Sequence, residues 1–407
     1  MHSIFKLFIF LALFGTSCTV PPPCSLSQMD IPAEWHSTTS EGMHSQSTDC
    51  FRWWKALNDP ILDSLMERAA FQNLDLAIAG TRILEARNAR RLNNCDKLSD
   101  CAAPCIVQAC NDRSNQQKNL FEMGFDADWE MGILAPDFKI GLPLNAKAEA
   151  AHENFEKVWV TLSAEIARNY VELRAFQQRL NVVRSTIEAQ KESLQLTQDL
   201  LKMGMSSSVD AAQAEGQYSM LAAEQPLIEL AIKKTIHRLS ILLGQGPGEL
   251  YAELSSPQDL PKVPKDFPIG IPTDLLKRRP DIRLAEINLM QQSGNVNNIK
   301  TKQALFEYQK AVLEALEEAE NAITSFHVQL ERRHYLLQSQ ESAQSAYDLT
   351  FDLFKNGFRG YMDALLAQRT LFTARNAYIQ SRLDLLTQYI ALYKALGGAW
   401  YGCCADI

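Results

Sequence analysis

Chemistry in this chain would have to come from its cysteines, its histidines or its carboxylates. Nine cysteines occur in 407 residues, and Cys95, Cys101, Cys105 and Cys110 crowd together with five, three and four residues between them. Four thiolates could hold zinc, but these spacings match no C-x2-C pattern. The seven histidines are scattered, and one Glu-x-x-His step is present, Glu331 with His334. Helical di-iron bundles use that step, but they need two copies and two further glutamates facing inward. No second copy stands at the equivalent place in the internal repeat described below. Neither a G-x-S-x-G elbow nor a P-loop is present. The expectation is a protein that is not an enzyme, with no cofactor and no resident metal. Net charge is −8 and no long basic run occurs, which argues against a nucleic-acid partner.

The N-terminus reads as an export signal over residues 1–17. Lys6 supplies the positive region, Leu7 to Phe14 the apolar one, and Gly15-Thr16-Ser17 leads into Cys18. The apolar run is too short to span a bilayer. A cysteine at that place resembles a bacterial lipoprotein signal, with Cys18 as the lipidated first residue; Gly15 stands where that motif usually has Leu. The other reading is an ordinary cleaved signal. Without Cys18 eight cysteines remain, an even number, which in an exported chain points to disulfides among Cys95, Cys101, Cys105 and Cys110 with the connectivity open. No other stretch has the apolar length of a transmembrane helix, so any membrane insertion must use β-strands.

The elements come from a repeat. Leu196-Thr197-Gln198-Asp199-Leu200-Leu201-Lys202-Met203-Gly204 returns 153 residues later as Leu349-Thr350-Phe351-Asp352-Leu353-Phe354-Lys355-Asn356-Gly357. At the same offset Asp210, Ala211 and Ala214 return as Asp363, Ala364 and Ala367. One architectural unit is used twice. Within it, Trp159, Leu162, Ile166, Tyr170, Leu173, Phe176, Leu180, Val183 and Ile187 follow at a mean step of 3.5 residues. That is the coiled-coil period. The helix breaks at Gly204 to Ser208, where Gly permits a positive φ and Ser208 is expected to cap the return helix.

The chain therefore divides into a signal (1–17), an extended tether (18–60), a first repeat (61–246), a Pro-rich linker (247–272), a second repeat (273–400) and a tail (401–407). The first repeat holds a helix from Ile61 to about Arg91, a candidate β-hairpin region (92–144, with strand candidates at 103–110 and 120–134) and a helical hairpin (145–243). The second holds a helical hairpin over 300–396. The fold class is mainly α: two tandem hairpins of long antiparallel coiled-coil helices with a reduced β-hairpin region.

Three motifs carry a family resemblance. Gly124-Phe125-Asp126-Ala127-Asp128-Trp129-Glu130 is one. Gly270-Ile271-Pro272-Thr273-Asp274-Leu275-Leu276 leading to Arg278-Arg279-Pro280-Asp281-Ile282 is the second, and Leu392-Tyr393-Lys394-Ala395-Leu396-Gly397-Gly398-Ala399-Trp400 the third. Together they resemble the TolC/OprM family of outer-membrane efflux channels, closest to its lipoprotein (NodT/OprM-like) branch. The resemblance implies a homotrimer whose β-barrel sits in the outer membrane above a periplasmic α-barrel. It implies partnership with a periplasmic adaptor and an inner-membrane pump. Gly204, Ser208, Gly357 and Tyr361 would mark the helical tips that meet the adaptor. Asp210, Arg359 and Asp363 would line a closed periplasmic aperture, with Arg359 pairing to a neighbour's Asp210. The other account of both aspartates is that they begin helices, where a carboxylate favours the positive end of the dipole.

The chain also departs from that pattern. Asp75-Leu76 aligns with Asp281-Ile282 at an offset of 206, but Glu165 aligns with Glu318 at 153. The second repeat is 53 residues shorter between Leu289 and Glu318, where the family places its second β-hairpin. Three copies of one hairpin give six strands, fewer than the eight of the smallest characterised outer-membrane barrels. Two functions are therefore expected: an outer-membrane conduit for small molecules in a tripartite efflux or secretion system, or a lipid-anchored envelope structural protein that forms no pore.

Overall fold

The computed structural model describes residues 32, 35–36, 43–44, 50–96, 138–264, 267–268, 271–292 and 299–398. In chain order the helices are α1 (Pro60–Gln72), α2 (Leu74–Asp96), α3 (Phe138–Lys202), α4 (Ser208–Leu242), α5 (Tyr251–Leu254), α6 (Leu275–Arg278), α7 (Pro280–Gln292), α8 (Ile299–Lys355) and α9 (Tyr361–Ala395). Among the described residues the strand pairing is a short parallel one, β1 (Met43–His44) beside β2 (Phe267–Pro268). No described helix is long and apolar enough to cross a membrane. The strand candidates and the Gly124–Glu130 motif lie outside the described residues, as do Cys18 and the 401–407 tail.

The N-terminal tether ends earlier than its composition suggests. Cys50–Leu57 form a 3-10 helix whose two tryptophans are buried. Trp53 stacks on Tyr393 with ring centres 5.4 Å apart, and Trp54 meets Trp159 edge-on at 6.1 Å. Asp59 then caps α1, its carboxylate accepting from the Ile61 and Leu62 amides at 3.0 and 3.2 Å, with Pro60 in the first turn.

The helix expected to run unbroken from Ile61 to Arg91 is two helices, because Asn73 interrupts it. The Asn73 side chain accepts from the Leu76 amide at 2.8 Å and donates to the Leu242 carbonyl at 2.8 Å. One residue thus starts α2 and ties it to the last turn of α4. The second repeat makes the same tie with a different side chain. Arg279, 206 residues on, donates to the carbonyl of Ala395, which is 153 residues after Leu242. A glycine follows each target at the same interval. Gly244 and Gly397 both take positive φ, and a Cβ on either would press on the backbone of Gln72 or Arg278.

The long helices lie side by side in the order α4–α3–α9–α8, with α2 and α7 leaning on the upper part of α3. Seven of the nine seam residues on α3 are buried, and Phe176 and Ile187 pack partly buried against the same core. Further down α3 the buried positions become polar: Thr186, Gln190, Ser193 and Thr197. Below them a separate small core gathers Ala214, Phe354, Tyr361, Ala364 and Leu365.

The lengths locate the missing residues. The return helices α4 and α9 are both 35 residues. The connection from α2 to α3 (97–137) is 35 residues longer than that from α7 to α8 (293–298). Helix α7 is 10 residues shorter than α2, and α8 is 8 shorter than α3, which accounts for the remainder of the 53. Six residues cannot hold two strands of about 9–11 residues each.

Where α7 meets α3, two carboxylates on one face of α3 are buried together. Glu153 pairs with Arg283 at 2.9 Å. Glu156, one turn on, is pushed up to about 8 by burial and by the neighbouring Glu153 charge, against a smaller opposing pull from Arg283. A carboxyl whose folded value is raised destabilises the fold as pH climbs from its ordinary 4.5 to about 8, because only the unfolded chain ionises in that window. Glu156→Gln is therefore expected to raise the thermal midpoint by a few degrees at pH 8 and to leave it unchanged at pH 4, measured by circular dichroism.

Candidate functional site at the hairpin tips

Both hairpins turn in the same way. Helix α3 ends with Gly204 at φ +72°, and α8 with Gly357 at φ +76°. At the first tip the Met205 amide donates to the Leu200 carbonyl at 2.8 Å and the Gly204 amide to Leu201 at 2.9 Å. At the second, Phe358 donates to Leu353 at 2.9 Å and Gly357 to Phe354 at 3.0 Å. These are paired Schellman closures, and the left-handed residue in each is a glycine because other residues are strained there.

The helix starts differ. The residue that caps α4 is Ser207 and not Ser208, which is the first residue of the helix. The cause is Asp210, three residues beyond Ser207. The Ser207 hydroxyl accepts from the Asp210 amide at 3.1 Å, while the Asp210 carboxylate accepts from the Ser207 amide at 3.2 Å and hydroxyl at 2.9 Å. This is a capping box with Asp in place of Glu. The Ser206 hydroxyl adds a third donor at 3.2 Å. At α9 the cap position is Gly360, which has no side chain to offer. There Arg359 occupies the slot of Ser206 and approaches Asp363 at 3.4 Å. The pair is exposed, so it adds at most about 1 kcal/mol.

Within one chain the three residues expected at an aperture therefore form two separate local groups, Asp210 with Ser206 and Ser207, and Asp363 with Arg359. Tyr361, expected among the outward tip contacts, is buried instead: its ring lies against Phe354 with centres 5.9 Å apart, and its hydroxyl accepts from Gln190 at 3.0 Å. Beside the exposed Lys202, Lys355, Arg359 and Asp363, several large apolar residues face outward at the tips. Met203, Met205, Val209, Phe358, Met362 and Leu366 are all exposed, Phe358 to 76%. Gln190 was not singled out by pattern, although its place was visible: it continues the 3.5-residue seam three positions after Ile187, where an apolar residue belongs.

Cys95 falls in the last turn of α2, and Cys101, Cys105 and Cys110 lie outside the described residues. Glu331 and His334 are exposed on α8, with the His334 ring 3.2 Å from the Gln338 amide. Among the described residues no group of three or more His, Cys, Asp or Glu could hold a metal ion.

Comparison with known proteins matches these tandem hairpins. A family profile described as outer membrane efflux protein matches residues 145–245 and 296–398, and the chain belongs to that family. Nodulation protein T of Rhizobium leguminosarum bv. trifolii is 23% identical, and the match covers 96% of each chain. The pyoverdine export outer membrane protein OpmQ of Pseudomonas aeruginosa is 24% identical over 95% of each. Among solved structures, the outer-membrane channel OprN superposes with a TM-score of 0.80 at 27% identity, covering 94% of this chain and all of that one. The aligned stretch with Nodulation protein T runs to 458 positions against 407 residues here, so that relative carries residues this chain lacks.

Asp210 is held below the ordinary carboxylate range chiefly by the Ser207 hydroxyl. A depressed folded value contributes stability above the ordinary carboxyl range that disappears as pH falls through it. Ser207→Ala is expected to cost about 1 kcal/mol at the start of α4. Hydrogen exchange of the 208–214 amides, read at neutral pH, should accelerate about fivefold, and the difference from wild type should shrink as Asp210 protonates.

Proposed function

We propose that this protein is the outer-membrane conduit of a tripartite export system: a homotrimer anchored by lipid at Cys18, whose tips engage a periplasmic adaptor driven by an inner-membrane pump. Its family is one of efflux channels, not of enzymes, and the conduit has no chemistry of its own. OpmQ is named for pyoverdine export, and TtgC of Pseudomonas putida for toluene efflux. Both names fit a shared role as passive exit for small molecules, with selection left to the pump.

The observation that carries the trimer is the state of the two outer helices. In the order α4–α3–α9–α8, each inner helix has a long helix on both sides and each edge helix on one, with α7 also lying on α8. Both edges carry apolar residues at multiples of seven. On α4 these are Met220, Leu227 and Ile241, with Leu227 65% exposed in the single chain. On α8 they are Val328, Tyr335 and Leu349, the last 69% exposed. Exposed apolar residues on each edge suit a partner helix, and the two edges are different surfaces, so the contact is head-to-tail, the kind that forms a ring where its rotation closes. The exposed methionines and phenylalanine at the tips then form one apolar rim, a surface suited to an adaptor.

The six-residue link between α7 and α8 favours a second reading, a lipid-anchored envelope scaffold without a pore. Planar-bilayer conductance of the purified lipidated protein, with its mass measured in the same detergent, decides between them. Discrete steps from a trimer support the conduit; a silent bilayer and a monomeric mass support the scaffold.

Leu227→Glu and Val328→Glu are each expected to convert the trimer to monomer in that mass measurement. Asp210→Asn combined with Arg359→Gln is expected to raise single-channel conductance by removing an ionic contact between neighbouring protomers at the aperture. Unchanged conductance would sink the clamp.

A further inference from the structure

Between the two cores of the hairpins lies a layer of polar side chains that packing alone does not demand. Gln190 on α3 is fully buried. Its amide nitrogen donates to the Tyr361 hydroxyl at 3.0 Å and to the Ala214 carbonyl at 3.2 Å, so one side chain ties α3 both to α4 and to the first turn of α9. Its amide oxygen is buried with no hydrogen-bond partner. Two turns further along α9, Gln368 is buried and its amide nitrogen is also unpartnered. Beside it, Arg369 donates through Nε to the Gln217 side chain of α4 at 3.0 Å, a second bond between the two hairpins. The slot does not require a polar group. The position 153 residues after Gln190 is Ala343, buried in its own helix.

We propose that Gln190, Tyr361 and the Arg369–Gln217 pair are positioning residues that form a latch, holding the lower ends of the two hairpins together within one protomer and setting how readily the tips part. An apolar layer would join the small core of Ala214, Phe354, Tyr361, Ala364 and Leu365 to the main core above it. The polar layer divides them. A buried polar atom without a partner costs free energy while it stays dry. Parting the hairpins breaks the Gln190–Tyr361 and Arg369–Gln217 hydrogen bonds but lets water reach the Gln190 oxygen and the Gln368 nitrogen. The two effects oppose each other, so the closed arrangement is held by a small margin. The lower hairpin ends can then move as a unit while the upper core stays packed. The consequence for conduction rests on the proposed function; the latch itself does not.

The test is hydrogen exchange by mass spectrometry on the full lipidated protein, alongside conductance and thermal midpoint. Tyr361→Phe removes one hydrogen bond and keeps the ring. Exchange over 208–216 and 361–368 is expected to rise about fivefold, the factor one ordinary hydrogen bond supplies. Gln190→Leu combined with Tyr361→Phe merges the cores without leaving the hydroxyl unpartnered, and exchange there is expected to fall below that of Tyr361→Phe alone by a similar factor. Conductance should rise in the single variant and fall back in the double one. Unaltered exchange in Tyr361→Phe, or faster exchange in the double variant than in the single one, overturns the latch. So does a lowered thermal midpoint in Tyr361→Phe with conductance unmoved, since that is a merely structural effect. A silent bilayer with the expected exchange pattern supports the latch and removes only the conduit.

Discussion

A heptad seam holds two antiparallel helices in register only while each layer is filled, and here the filling changes character along the helix. From Trp159 to Val183 the seam residues of α3 are aromatic and aliphatic, with Arg174 and Gln177 buried beside them, and α2, α4, α7 and α9 close round them. Beyond Val183 the same positions carry Thr186, Gln190, Ser193 and Thr197. On α8 no residue between Phe326 and Ala343 is buried in the single chain. The upper part of the hairpins is thus a core in the ordinary sense. The lower part depends on what lies beside it, whether the neighbouring hairpin or another copy of the chain. The edge seams on α4 and α8 and the division between the two cores are aspects of the same arrangement.

Much of this was legible beforehand because it follows from period and repetition. The 3.5-residue step located the seam on α3, and the 153-residue echo located both tips and their glycines. What escaped detection depends on single hydrogen bonds, which leave no period. Nothing in the run from Ile61 to Arg91 marks Asn73 as a break, because its role is set by the Leu242 carbonyl, 169 residues away. The choice between Ser207 and Ser208 turned on the three-residue distance to Asp210, which a search for any serine after a glycine overlooks. Tyr361 looked like a tip residue from its place in the chain, but its own side chain is turned inward while Met362 and Asp363 beside it stay exposed.

The shortened second repeat narrows what the protein has to work with. The helical wall is built twice over, with return helices of equal length, but only the first repeat keeps a long excursion between its short helix and its long one. A wall made from paired repeats and an excursion made from one are independent requirements, and the family profile rests on the first. The matched residues are the two hairpins.

The ties made by Asn73 and Arg279 have a further implication. The two side chains share neither charge nor length, yet each delivers a hydrogen bond to the end of a return helix, and each target is followed two residues later by a glycine. The acceptor in both is a main-chain carbonyl, which every residue type possesses, so substitution can never delete it. The donor can therefore differ between the repeats without a compensating change opposite, and the equivalence of the two ties lies in the position of the bond and not in the residue that makes it.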